Sequence, residues 1–171
     1  AYSNVRVFES ADPMPHLISL NLDELKRSYE TRIAASTLTE ARLSGRQILR
    51  DGSLTIVDGE FSDVSLFVAG ELRLMGSPKF VAKGDTPVLV VEKDLTANLS
   101  GADIRGIIYV GGKATIRGQG IITGAIFADE IDISGGVTVQ SFDQDETTKR
   151  PSPSFFRREI RWNPVEGGEG R

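Results

Sequence analysis

The chain predicts a mainly β fold: a short parallel β-solenoid (β-helix) of roughly 18 residues per rung, preceded by an N-terminal α-helical segment. Three observations carry that expectation. Many of the 18 glycines fall between Gly52 and Gly136, where they punctuate short apolar runs. The runs themselves are strand-like: Leu54-Thr55-Ile56-Val57, Ser65-Leu66-Phe67-Val68, Val88-Leu89-Val90-Val91 and Ile107-Ile108-Tyr109-Val110. Finally, the stretches 89–106, 107–124 and 125–142 align on one another. An aliphatic entry, a polar turn and an alternating run recur in each. Val91, Val110 and Ala128 match before the turn, and Leu95, Ala114 and Ile131 match after it.

A single rung of two or three short strands cannot bury its apolar side chains, whereas stacked rungs bury them in one continuous column. Leu95, Ala114 and Ile131 are therefore expected to stack inward, so that an aspartate at Ile131 would sit buried without a partner. Residues 69–87, with Pro78 and Pro87, fit the repeat poorly and read as a rung carrying an inserted loop. The rival reading of the same short strands is an antiparallel β-sandwich.

The segments before and after the repeat differ in character. Residues 1–51 read as an N-terminal extension. Asn21 and Glu24 have capping-box spacing. Leu22, Leu25, Tyr29 and Ile33 then mark one helical face, and a second box from Thr37 to Glu40 restarts it, giving an interrupted helix over 22–49. The solenoid is assigned to 52–142. Residues 143–171 read as a linker, a closing strand on Phe156, Arg158, Ile160 and Trp162, and a polar tail.

Composition narrows the function. With 171 residues, 39% of them hydrophobic and 26% charged, the chain is in the globular range. A net charge of −4 argues against a surface built throughout for nucleic acid. Cysteine is absent, which removes disulfides, thiolate metal sites and a cysteine nucleophile. No run of about eighteen apolar residues provides a transmembrane helix.

The chemistry-bearing residues lead to no catalytic, cofactor or metal assignment. His16 is the single histidine, and a histidine-based triad would depend on it alone. Asp129, Glu130 and Asp132, and further on Asp143, Asp145 and Glu146, gather carboxylates without the pattern of a calcium loop. Gly111-Gly112-Lys113 and Gly118-Gln119-Gly120 precede strand-like runs rather than the helix N-terminus a phosphate loop requires. Glu92 and Asp94 meet Gly111 and Lys113 one rung on, which leaves no acid pair for carbohydrate chemistry. The one candidate contact surface is basic and aromatic: Lys149, Arg150, Phe155, Arg157, Arg158, Arg161 and Trp162, suited to phosphate or base stacking or to a protein partner.

Residues 106–139, "GIIYVGGKATIRGQGIITGAIFADEIDISGGVTV", resemble the β-solenoid ectodomain of PilX-type pilus-assembly proteins, minor pilins of bacterial type IV pili. The likeness centres on Gly120-Ile121-Ile122-Thr123-Gly124-Ala125-Ile126-Phe127-Ala128, with "FFRREIRW" as a late aromatic-basic strand. It implies a non-enzymatic, envelope-anchored or pilus-borne solenoid facing outward, with other pilus or envelope proteins as partners and DNA or a surface ligand as a further one. It also implies an N-terminal apolar anchor, expected to have been removed ahead of Ala1. Bactofilins, cytoskeletal polymers of stacked β-rungs, are the second resemblance and imply a self-assembling cytoplasmic scaffold.

Overall fold

The computed structural model describes residues 22–141. A short helix, α1 (Leu22–Arg27), is followed by twelve strands. These are β1 (Thr31–Arg32), β2 (Thr37–Thr39), β3 (Arg42–Ser44), β4 (Gln47–Arg50), β5 (Leu54–Val57), β6 (Glu60–Val68), β7 (Leu72–Gly76), β8 (Lys79–Ala82), β9 (Leu89–Val91), β10 (Leu95–Val110), β11 (Lys113–Phe127) and β12 (Glu130–Gln140). Every ladder between them is parallel. The result is a β-solenoid of about 6 turns with ~18 residues per turn.

The register sorts the strands onto three faces. Face A runs β2–β5–β7, then the start of β10, β11 and β12. Face B runs β3, the start of β6, β8, then the middle of β10 and β11 and the end of β12. Face C runs β1, β4, the end of β6, β9, then the ends of β10 and β11. The long strands β10 and β11 thus pass over two corners each while keeping their ladders.

Alternation sends one set of side chains into the column. On face A, Leu38, Ile56, Leu74, Ala97, Ile116 and Ile133 lie in successive register. Face B contributes Leu43, Phe61, Phe80, Ile104, Ile122 and Val139, and face C Ile48, Leu66, Leu89, Ile108 and Ile126. Phe61 and Phe80 stack with ring centroids 4.4 Å apart and an interplanar angle of 7°. Almost all of these residues belong to one core cluster. Each added rung therefore removes another set of apolar side chains from water, at about 25 cal/mol for each Å² buried.

The expected alignment of rungs holds. Leu95 pairs with Ala114 and Ala114 with Ile131, and Val91 pairs with Val110. Three expectations need correction. The helix expected over 22–49 is confined to Leu22–Arg27, and the solenoid expected from residue 52 already has strands from Thr31 onward. Within 69–87, β7 and β8 are regular, and the insertion narrows to the segment from Lys83 to Pro87. There the register steps by 23 positions, from Leu66 to Leu89. Lastly, Ile131 shares the column of Leu95 and Ala114, but at the last described rung it is 40% exposed. An aspartate there would be largely solvated.

Candidate functional site

The solenoid buries its apolar residues, so what it offers other molecules is the outward set on each face. These outward residues also form columns, one residue per rung at about 4.8 Å spacing.

Face C is apolar on its outer side as well. Leu49, Phe67, Val90, Tyr109 and Phe127 follow one another in register and, with Tyr29 and Ile107, make a second cluster outside the main core. Leu22 and Leu25 of α1 pack on this cluster. Tyr29 meets Phe67 edge-on, with centroids 5.5 Å apart. α1 is anchored at its basic end, where Lys26 and Arg32 reach Asp51 at 3.0 and 2.6 Å. The Lys26 hydrogen bond, followed by the nearby cations, holds the Asp51 carboxyl below its ordinary pKa. Face C is therefore a covered flank, with Leu22, Leu25 and Tyr29 packed on it among the described residues.

The same flank holds the buried polar group Ser65. Its hydroxyl donates to the Pro87 carbonyl at 2.5 Å and accepts from the Tyr29 hydroxyl. Burial pushes the Tyr29 phenol up from 10.0 to about 12, against the lowering effect of the Ser65 hydrogen bond. Tyr109 also rises to about 12, through burial first and the nearby Asp129 charge second.

Face A presents Thr37, Thr55, Arg73, Thr96, Thr115 and Asp132 in one column. Thr39, Val57, Met75, Asn98, Arg117 and Ser134 form the second. It is a flat, mostly neutral hydroxyl-bearing surface, with Met75 44% exposed.

Face B presents Arg42, Glu60, Lys79, Asp103, Ile121 and Thr138 in one column; beside it Ser44 pairs with Ser62, the register of β6 on β8 shifts between Phe61 and Val64, and Val81, Arg105, Thr123 and Gln140 follow in register. Charges alternate along its first four rungs. Arg42 stands 3.9 Å from Glu60, and Asp103 pairs with Arg105 on its own rung at 3.4 Å. Between faces A and B, Glu40, Asp58, Ser77 and Gly59 join Arg42, Glu60 and Lys79 around an open depression of about 350 Å³.

The corner carboxylates act on the backbone. Asp58 Oδ1 accepts from the Ser77 N–H at 2.7 Å, and Asp94 Oδ1 from the Lys113 N–H at 2.8 Å. The first carboxylate group of the sequence is partnered across rungs. Glu130 binds Lys113 at 2.6 Å, which raises the lysine pKa, and Asp132 lies 3.5 Å from Arg117. Among the described residues no cluster of three or more His, Cys, Asp or Glu has the arrangement of a metal site, and no helix is long and apolar enough to cross a membrane. Gly111-Gly112-Lys113 leads into β11, as expected, and Gly118-Gln119-Gly120 lies within it.

Lys149, Arg150, Phe155, Arg157, Arg158, Arg161 and Trp162 lie outside the described residues, as do His16, Asp143, Asp145 and Glu146. The charge column of face B, assembled by the described residues, draws on Arg42 and Lys79. Both lie where the sequence suggested a helix or an irregular loop.

No family model, curated protein or solved structure matches the chain.

Proposed function

We propose that this chain is a non-enzymatic solenoid domain of a type IV pilus-associated protein of the bacterial envelope, working as a rigid docking element in pilus assembly, adhesion or DNA uptake. The observation that supports the reading is where the resembling residues fall. Residues 106–139 run through consecutive stacked rungs, and the element Gly120–Ala128 carries the fifth turn from face B to face C, with Ile122 and Ile126 inward. The likeness thus follows the rung itself, its apolar interior and its corners together.

A docking role suits this geometry, because residues on adjacent rungs keep fixed spacing and lose little conformational freedom when a partner binds. Face A is the open surface of this kind. The test places a photo-crosslinking residue at Thr55 or Thr96 in cells producing the intact protein. Crosslinks to pilus or envelope proteins are expected, and crosslinks confined to cytoplasmic proteins would overturn the reading. The basic segment around Arg157, Arg158 and Arg161 would serve DNA uptake. Its contribution is read by fluorescence anisotropy with labelled DNA at low salt, comparing the chain with its triple alanine variant.

A second reading, a bactofilin-like self-assembling scaffold, draws on the last described rung, where Ile131 of the interior column is 40% exposed. Filaments of the intact chain in electron micrographs would favour it over the first.

A further inference from the structure

We propose that face B is a self-complementary surface that pairs two copies of this chain side by side with their columns antiparallel. The observation is the sign sequence of its outward column: Arg42 positive, Glu60 negative, Lys79 positive, Asp103 negative, then the uncharged Ile121 and Thr138. All four charged side chains reach solvent. The Arg42–Glu60 approach of 3.9 Å leaves the Arg42 side chain 83% exposed and that of Glu60 55% exposed.

A two-fold axis along the strand direction, passing between the rungs of Glu60 and Lys79, reverses the rung order and keeps each column opposite itself. Arg42 then faces the second copy's Asp103, and Glu60 faces its Lys79. The symmetry repeats both pairs, so four oppositely charged contacts form. Beside that column Ser44 comes opposite Arg105, and Val81, which is 46% exposed in the single chain, comes opposite the irregular stretch of β6 after Phe61. Among these column residues no like charges meet. A two-fold axis along the column instead sets Arg42 against Arg42 and every other charge against itself. Isologous pairing therefore selects the antiparallel arrangement. Because the charges stop after four rungs, they also fix the register.

The paired area covers only four rungs of a narrow face. It is small against the roughly 800 Å² per partner of a standard stable interface, so the dimer is weak, reversible and salt-sensitive. Its electrostatic pattern sets orientation more than strength.

The experiment exchanges charges and reads the association constant by sedimentation velocity over a concentration series of the intact chain. Glu60→Lys alone, or Lys79→Glu alone, puts like charges together twice in each pair. Either should raise the dimer dissociation constant at least about tenfold. The double variant Glu60→Lys/Lys79→Glu restores every cross-copy pair and should return it to near the starting value. An equimolar mixture of the two single variants should form a heterodimer that neither forms alone.

These outcomes separate pairing between copies from pairing within one. Inside one chain the double exchange turns the alternating column into two cations followed by two anions, which harms intrachain pairing but not the dimer. A parallel pair slipped by one rung would likewise be broken by it. Arg42→Asp and Asp103→Arg form an independent couple with the same logic, should either first variant fold poorly. Monomer throughout up to about 1 mM, the weak end of the affinity scale, would overturn the proposal. So would a double variant weaker than the singles, or a mixture without heterodimer.

Discussion

Ser65 shows how one hydroxyl can fix three pieces of chain. It stands in β6 on the outer side of face C, accepts a hydrogen bond from the Tyr29 hydroxyl and donates one to the Pro87 carbonyl. Tyr29 follows α1, and Pro87 ends the inserted segment. Ser65→Ala leaves a buried phenol and a carbonyl without their partner, and should cost about 1–3 kcal/mol in urea unfolding. Tyr29 and Tyr109 add a pH dependence. Both phenols are held neutral to about 12 in the folded chain against 10.0 as the ordinary value. The unfolded chain therefore releases its phenolic protons first. The resulting stabilisation is fully present below pH 10 and is lost as pH rises toward 12. Thermal unfolding followed between pH 9 and 12, values set by about those pKa limits, should show a falling midpoint. Tyr29→Phe should remove part of that slope, and an unchanged slope would mean Tyr29 is not held neutral by the fold.

At the scale of elements, corners decide what each strand can do. Gly118 lies in β11 at φ 102, and a Cβ there would come within 2.0 Å of the Leu99 carbonyl oxygen of the rung before. Gly84, in the inserted segment, has φ 53 and open space around it. Gly118→Ala should cost more than about 3 kcal/mol, combining backbone strain with a displaced rung, whereas Gly84→Ala should cost about 1 kcal/mol. Equal costs in denaturant melts would mean that rungs do not constrain one another at this corner. The corner pattern also explains what the sequence hid. Ile33, Leu38, Leu43 and Ile48 point toward the interior five positions apart, passing from face C through A and B back to C as the chain turns. Strands of two to four residues leave too little alternation to show a period of two. Tyr29, Ile33, Ala41 and Ile48 then fall close enough to helical spacing to suggest a helix. The signal that was present is the spacing of five, which returns at Ile56, Phe61 and Leu66. The later rungs were legible because β10, β11 and β12 repeat whole alternating runs at nearly constant offset.

On the scale of the whole molecule, position along the column governs stability, since each rung bonds mainly to its neighbours. The outward surfaces were illegible for a related reason. Arg42, Glu60, Lys79 and Asp103 are separated by 18, 19 and 24 positions, so only the structural register reveals them as one column. The interior column from Leu95 through Ala114 to Ile131 provides the sharpest test of position. Leu95 is 1% exposed and Ala114 0%, each with rungs on both sides, whereas Ile131 at the last described rung is 40% exposed. All three are aliphatic and share one face, so they differ in size and in burial. Ala114→Asp places a carboxylate in the core with no cation beside it, and should cost more than about 3 kcal/mol or prevent folding. Ile131→Asp leaves its carboxylate in water and loses only part of an apolar contact, and should cost about 1 kcal/mol or less. Native-state hydrogen exchange gives the same comparison without substitution: amides of β12 should open at lower free energy than those of β10, which has rungs stacked on both sides. Uniform protection across the six turns, together with equal costs for the two aspartates, would show that the column unfolds as one indivisible unit and that distance from its end has no energetic meaning.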